Sequence, residues 1–268
     1  MKRTLARRRG DARGRSPLEP FRSSLWKRLE GTRGLGEIAI AVFFIILSLI
    51  AIGCGRESPS ENYPEKIPGA LSAVHFPTAD GCSWEYTLVG REYVYKAEIS
   101  GTRSVGGVAA RLLKNDSNVP VDHFGSLYGI PIRTSFFTKD LESYTELAFE
   151  LEFMGSTLFL RNSPKRVLWS FPLYKDKEWV VSKSRTIPEI TYTRKVVSDN
   201  NLLTVTAGNF KDVYYVEEYI SAPDIQPGQE LVSRYWIAPD VGVVKYDYLD
   251  IITGTVNAYE LSNFKRGR

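Results

Sequence analysis

From about residue 73 onward, apolar and polar residues alternate over short runs that are separated by turn residues. In the clearest run, Leu147, Phe149 and Leu151 alternate with one alanine and two glutamates. Because successive side chains of a β-strand point to opposite faces of the sheet, a period of two indicates a strand with one buried face. Beyond residue 54, no convincing helical period extends over more than about ten residues. The pattern therefore predicts an all-β domain.

The same criterion predicts about ten to twelve strands. They cover residues 83–89, 93–99, 147–153, 156–161, 167–171, 179–183, 190–197, 202–207, 213–220, 231–237, 242–249 and 253–261. Turn residues separate them, among them the Ser-Asp-Asn-Asn stretch at 198–201 and the Pro-Asp pair at 239–240. Connections of hairpin length between so many strands predict an antiparallel meander or a barrel.

An uncharged apolar run, IAIAVFFIILSLIAI, covers residues 38–52. The whole chain is formally +4, but residues 1–53 carry eleven basic and four acidic side chains, so that the rest is mildly acidic. A positive segment followed by an apolar run of about this length is typical of a signal peptide. The excess of basic residues thus belongs to a leader, and the acidic domain offers no phosphate-tracking surface for nucleic acid.

The apolar run ends in Ile-Ala-Ile-Gly-Cys at 50–54, which resembles the bacterial lipoprotein signal, Leu-Ala/Ser-Gly/Ala-Cys. The resemblance implies cleavage between Gly53 and Cys54 and acylation of Cys54 by chains such as palmitate, with membrane lipid as the partner. The alternative is an uncleaved anchor helix, since the uncharged stretch 38–55 approaches the roughly 20 residues of a span. In both cases the positive flank stays in the cytoplasm and the chain beyond Cys54 is exported.

Four regions follow: a basic segment 1–37, a hydrophobic signal or anchor helix 38–53, a flexible tether 54–72, and a single β-rich domain 73–268. The tether is rich in Pro, Ser, Glu and Gly and shows no apolar period. Gly55 follows the cysteine where Asp would signal retention, so by resemblance the destination is the periplasmic side of the outer membrane. In a bacterium with one membrane, the domain faces outward.

Several motifs occur in a recognisable order. They are FP at 76–77, DGCSWEY at 80–86, FPL at 171–173 with Trp179, TAGNFKDV at 206–213 and WIAPDVGVVK at 236–245. The series resembles the bacterial TapB-type family and its relatives of unknown function, over most of residues 76–250. One departure is Asp240, where glycine is usual.

The resemblance implies a strongly curved antiparallel sheet that forms an incomplete, half-open barrel. It implies no known catalytic site, and TapB itself is linked to type IV pili. From the residues alone, Gly208 and Gly242 suit turns or bulges that need an unusual φ. Large aromatic residues are either core or the lining of an apolar groove; the groove candidates are Trp84, Tyr86, Trp179 and Trp236.

Chemistry-bearing motifs are scarce. The nearest approach to a triad is Asp122, His123 and Ser126, which are too close in sequence to face one another on a strand. With Cys54 acylated, Cys82 has no disulfide partner and is expected to be a small buried side chain. Glu142, Glu146, Glu150 and Glu152 are expected on a solvated face. The sequence therefore predicts no enzyme, no metal site and no cofactor.

These observations favour a membrane-anchored, non-enzymatic lipoprotein of the bacterial cell envelope with an exported domain for binding or assembly. Its partner would be an envelope protein, in pilus or envelope biogenesis. The alternative is a carrier that holds a lipid or lipoprotein acyl chain in an open barrel. An envelope hydrolase is the third and least supported reading.

Replacing Cys54 tests the anchor directly. We expect Cys54→Ser to abolish labelling by a fatty-acid analogue and to leave a larger, unprocessed chain, because the acylated thiol is lost. Gel mobility and in-cell acyl labelling measure both effects, with Cys82→Ser as the matched control. Labelling that survives in Cys54→Ser would contradict the lipoprotein assignment.

Overall fold

The computed structural model describes residues 70–267, except 93, 117–131, 154, 185–188, 225 and 251–254. The predicted signal segment, cleavage site and Cys54 lie outside the described residues. Within them, the chain begins with Leu71, which forms an isolated antiparallel bridge with Leu173, and a 3₁₀ turn at Ala73–His75. No helix in this described part is long and apolar enough to cross a membrane.

Twelve β-strands make up the rest of the described domain. They are β1 (Ser83–Leu88), β2 (Val94–Val105), β3 (Val108–Asn115), β4 (Ile132–Lys139), β5 (Ser143–Phe153), β6 (Ser156–Ser170), β7 (Glu178–Lys183), β8 (Thr191–Val205), β9 (Gly208–Ala222), β10 (Gln226–Ala238), β11 (Gly242–Asp250) and β12 (Thr255–Lys265). The all-β prediction is confirmed. Strands β1 and β2 pair as an antiparallel hairpin, and Gly90, which lies between them, has a φ of +80°.

One antiparallel sheet contains all twelve strands, in the order β6-β5-β4-β3-β2-β1-β12-β11-β10-β9-β8-β7. The first and last strands, β1 and β12, are neighbours, with Ser83 opposite Lys265. The sheet curves into a nearly closed barrel, and one seam between its edge strands β6 and β7 lacks a backbone ladder. This confirms the predicted incomplete barrel.

Several strands differ from the sequence-based expectation. β3 and β4 were not predicted, and the segments 156–161 and 167–171 form the single long strand β6. The Ser-Asp-Asn-Asn stretch at 198–201, expected to reverse the chain, lies inside β8 as a set of register shifts, with Asn200 at a φ of +57°. A bulge bends a strand without ending it, and the turn-forming residues serve that bend.

The barrel interior is filled by aromatic side chains. Tyr86 stacks on Tyr95 and Tyr246 on Tyr259, each pair with ring centroids 5.1 Å apart. Three of their hydroxyls are paired in these bonds: Tyr246 donates to the Tyr95 hydroxyl at 2.6 Å, and Tyr86 donates to the Val243 carbonyl at 2.7 Å. Burial raises the pKa of Tyr86 and Tyr246, so both remain protonated donors.

A buried guanidinium connects the two sides of the seam. Arg194 on β8 has no exposed side-chain surface, and its Nε donates to Glu218 Oε2 on β9 at 2.7 Å. Its Nη1 donates to the Leu168 carbonyl of β6 at 2.6 Å. Its guanidinium carbon lies 4.4 Å from the ring centroids of both Trp169 and Tyr235. Because β6 is one edge of the sheet and β8 adjoins the other, these contacts bridge the seam.

A second side chain bridges the same gap. The Trp179 indole on β7 donates to the Val167 carbonyl on β6 at 3.1 Å, and its ring lies 6.1 Å from that of Trp169. Two adjacent carbonyls of β6 are thus satisfied by side chains where a neighbouring strand would otherwise donate. The seam is closed by side chains.

A second buried ion pair lies between β5 and β6. Glu146 is fully buried; it accepts from Arg166 Nη1 at 2.8 Å, Ser135 Oγ at 2.8 Å and Asn162 Nδ2 at 2.9 Å. The expectation of a solvated face is therefore wrong for Glu146, because a carboxylate with three donors can remain in the interior. Leu147, Phe149 and Leu151 are buried as expected.

The seam contacts predict a large effect for Arg194→Met. We expect it to lower the free energy of unfolding by about 3–5 kcal/mol, because Glu218 is left as an unpaired buried charge. Urea unfolding of the detergent-solubilised chain, followed by tryptophan fluorescence, measures the change. The double variant Arg194→Met/Glu218→Leu should recover part of the loss.

The matched control is Lys183→Met, which removes an exposed pair with Glu189 and should cost less than about 1 kcal/mol. If Arg194→Met and Lys183→Met lower the free energy of unfolding equally, the result would contradict a special role for the buried pair.

Candidate binding cavity at the tether end

One end of the barrel is crossed by the segment that enters the domain. Phe76 is buried there, and its ring centroid lies 5.6, 6.0 and 5.7 Å from those of Tyr144, Trp169 and Phe171. The ring anchors the segment across the barrel end, since aromatic side chains supply most of the apolar area at such a contact. We call this end the tether end, because the described chain enters the domain here.

A cavity of about 220 Å³ opens beside this segment. Its walls come from four stretches that are distant in sequence: residues 74–82, the end of β4, the β10–β11 turn and residues 266–267. The lining includes Phe76, Thr78, Cys82, Lys139, Asp240 and Arg266. The cavity therefore combines an apolar floor with several polar groups, as small-ligand sites do.

Lys139, the last residue of β4, is half-buried at the cavity. Its Nζ donates to the Phe76 carbonyl at 2.7 Å. Burial lowers the pKa of Lys139, and the neighbouring Cys82 offsets part of that effect. Among the described residues, no carboxylate lies within ion-pair distance of this ammonium.

Asp240 holds the opposite wall. It lies in the β10–β11 turn with a φ of +61°, and its backbone N–H donates to the His75 carbonyl at 2.7 Å. Its Oδ1 is 3.2 Å from His75 Nδ1 and 3.3 Å from Arg266 Nη2. Glycine would suit this position because φ is left-handed. The aspartate instead provides a carboxylate that contacts His75 and Arg266.

Cys82 and Gly267 close the inner wall. The thiol is buried, as predicted, and Cys82 forms no disulfide. The Gly267 N–H donates to Cys82 Sγ at 3.2 Å. A Cβ on Gly267 would overlap the Asp80 carbonyl oxygen and come within 2.7 Å of the Cys82 nitrogen, so only glycine fits against this turn.

Three of the residues predicted to line an apolar groove belong to the main buried core, and the fourth, Trp236, packs against that core. Trp84, Tyr86 and Trp179 are buried, and the indole of Trp84 donates to the Val241 carbonyl at 2.7 Å. Trp236 is only partly buried, next to the inward-facing Tyr235, and stacks on Tyr215 with centroids 5.0 Å apart. An apolar groove at these positions stays a prediction.

Other predicted features fall in three groups. Gly208 and Gly242 have φ values of 138° and 88°, which confirms the expected backbone. Asp122, His123 and Ser126 lie outside the described residues, as do Gly53 and Cys54. Across the part of the chain that the structure describes, no group of three or more His, Cys, Asp or Glu side chains is placed to hold a metal ion.

Sequence reasoning missed Lys139 and Arg266 as site residues, because each is a cation at or just beyond the end of a strand and next to other charged residues. It also missed the buried charges Glu146, Arg194 and Glu218. The one available signal is that Arg194 and Glu218 lie inside the predicted strands 190–197 and 213–220.

Comparisons with known proteins place the chain in no established family. No family model matches, and no curated protein matches. Two solved structures show a weak similarity. One, from Bacteroides fragilis, is described as an exported protein with a YmcC-like fold; it has 11% identity and a TM-score of 0.33, over 72% of this chain and 99% of its own.

The second is described as a lipoprotein from Parabacteroides distasonis, with 12% identity and a TM-score of 0.34, over 71% of this chain and 98% of its own. Similarity this low carries no argument about fold or function. Membership of the TapB-type family stays a prediction.

The position of Lys139 predicts a pH-dependent stability. Folding lowers the pKa of Lys139. Between that lowered pKa and the ordinary value of 10.5, the Lys139 side chain therefore binds fewer protons in the folded protein than in the unfolded chain. The wild type should therefore gain stability relative to Lys139→Met as the pH rises toward that value. Urea unfolding of both proteins across the alkaline range measures the difference in their free energies of unfolding. The titration of the tyrosines that both proteins contain cancels in this difference. A difference that stays constant with pH would contradict the burial of this ammonium.

Proposed function

We propose that this protein is an exported, membrane-anchored lipoprotein of the bacterial cell envelope whose β-domain binds or helps to assemble a partner. The observation that carries the proposal is the uncharged apolar run at 38–52, which a basic segment precedes and Gly53-Cys54 ends. Each buried CH₂ of an attached acyl chain contributes about 0.8 kcal/mol, so that several chains hold a protein firmly.

The tether and the domain fit this arrangement. Sixteen peptide links separate Cys54 from residue 70, a length that spans at most about 55 Å when fully extended. Leu71 already pairs with Leu173 at the tether end. The cavity beside Phe76 therefore lies at the part of the domain that the tether enters.

The filled interior of the barrel favours a domain that binds a partner at its surface over one that carries an acyl chain inside the barrel. Trp84, Tyr86 and Trp179 are buried and each donates a hydrogen bond to a backbone carbonyl. An acyl chain placed among them would break these bonds, and each unmade bond to a buried group costs about 1–3 kcal/mol. A carrier of lipid or lipoprotein acyl chains is the alternative, and a hydrolase is the third candidate.

The partner of the proposed assembly domain is an envelope protein, in pilus or envelope biogenesis by the resemblance to the TapB-type family. Basic and acidic side chains are mixed over residues 54–268, with acidic ones in slight excess. A surface of this kind gives nucleic acid no continuous positive track. The proposed location is the periplasmic side of the outer membrane, or the outer face of the cell membrane where there is only one.

Native mass spectrometry of the full chain, released from membranes in mild detergent, tests this function. We expect the mass of an acylated chain that begins at Cys54, with no further lipid attached. Denaturing spectra of the same sample are the control, because they retain covalent acyl chains and lose bound lipid. An additional non-covalent lipid would favour the carrier, and an unprocessed chain in the cytoplasmic fraction would overturn the proposal.

A further inference from the structure

The tether-end cavity contains a positive charge that has no counter-ion among the residues that the structure describes. The Lys139 ammonium is half-buried and donates to the neutral Phe76 carbonyl at 2.7 Å. Placing a charge in a partly desolvated site is costly unless an opposite charge or several hydrogen bonds compensate. One carbonyl uses one of the three N–H donors of an ammonium. The two remaining donors are available to a ligand with negative oxygen atoms.

The other polar groups of the cavity point to the same ligand chemistry. The side chain of Arg266 is 68% exposed, and its guanidinium uses one amino group to bind Asp240. The remaining donors of this planar group suit an oxyanion. The Thr78 hydroxyl lines the same cavity and has no hydrogen-bond partner among the described residues. Three donor side chains thus surround one space.

Asp240, the one acidic side chain among the described lining residues, is already engaged. Asp240 Oδ1 lies close to both His75 Nδ1 and Arg266 Nη2. Its charge is offset by Arg266, which leaves the charge of Lys139 as the net charge of the lining. The Cys82 sulfur accepts from the Gly267 N–H and adds no further carboxylate. The balance of charge therefore favours an anion.

We propose that the tether-end cavity binds a phosphate group, through Lys139, Arg266 and Thr78. About 220 Å³ is below the roughly 300 Å³ at which pockets for drug-sized ligands begin, and it holds about seven waters at their liquid volume. A tetrahedral oxyanion with a short substituent fits this space. The phosphate could belong to a lipid headgroup or to a small dissolved ester, and the experiment separates the two. The inference rests on the cavity alone and not on the proposed anchor.

Calorimetric titration of the detergent-solubilised full chain with inorganic phosphate tests the site. We expect Lys139→Met to weaken phosphate binding by about tenfold or more, because a charge-assisted hydrogen bond is lost. Arg266→Gln should also weaken phosphate binding, because it removes a positive charge and leaves the Asp240 carboxylate, which repels an anion, without its partner. The matched control is Lys165→Met, which removes an exposed lysine that does not line the cavity and should leave the affinity unchanged.

A second arm identifies the source of the phosphate. Micelles doped with phosphatidylglycerol are compared with micelles doped with diacylglycerol, which lacks the phosphate. If only phosphatidylglycerol weakens the binding of inorganic phosphate, the result would support the site with a lipid headgroup as its ligand. If the binding of inorganic phosphate is the same in both kinds of micelle, the result would support the site with a dissolved phosphate ester as its ligand.

Absence of phosphate binding to the wild type would overturn the proposal, as would equal affinity in Lys139→Met. Thermal melting verifies that this variant is folded, and if it is not, Arg266→Gln decides, since Arg266 is exposed. Failure of the titration leaves acylation at Cys54 unaffected. An unprocessed chain that still binds phosphate would overturn the anchor alone.

Discussion

The closure of the barrel depends on the buried guanidinium of Arg194. The edge strands β6 and β7 share no backbone ladder, so the sheet ends on both sides of a seam. Arg194 binds Glu218 on its own side of the seam and the Leu168 carbonyl on the other. A charge in such a position is costly to desolvate, and the surrounding contacts with Trp169 and Tyr235 offset that cost. The aromatic interior packs around this group.

Much of the fold could be predicted because the strands carry a local signal. The alternation at 147–153, the hairpin at Gly90 and the positive φ of Gly208 and Gly242 all follow from the preferences of one or two residues. β3 escaped prediction because three of its eight residues are exposed and its composition is mixed, so its period of two is weak. The turn residues at 198–201 were misread because a bulge and a reversal use the same residue types.

The site was harder to predict than the fold, for a physical reason. Charged residues in a strand are ordinarily solvated, and burial depends on partners that come from other strands. Glu146 is separated by twenty residues from Arg166, and Arg194 by twenty-four from Glu218. The cavity is assembled in the same way, since 63 residues separate Lys139 from Phe76. Only the register of the sheet brings such groups together.

The order of the strands has a consequence for how this chain can be connected. Every pair of neighbours in the sheet is consecutive in sequence, except β1 and β12, which meet over the longest separation in the described chain. The seam, in contrast, lies between the consecutive strands β6 and β7. A circular permutant that links Lys265 to Ser83 and opens between β6 and β7 would be an uninterrupted meander. Its contact order would fall, and folding would no longer wait for two distant strands to find each other.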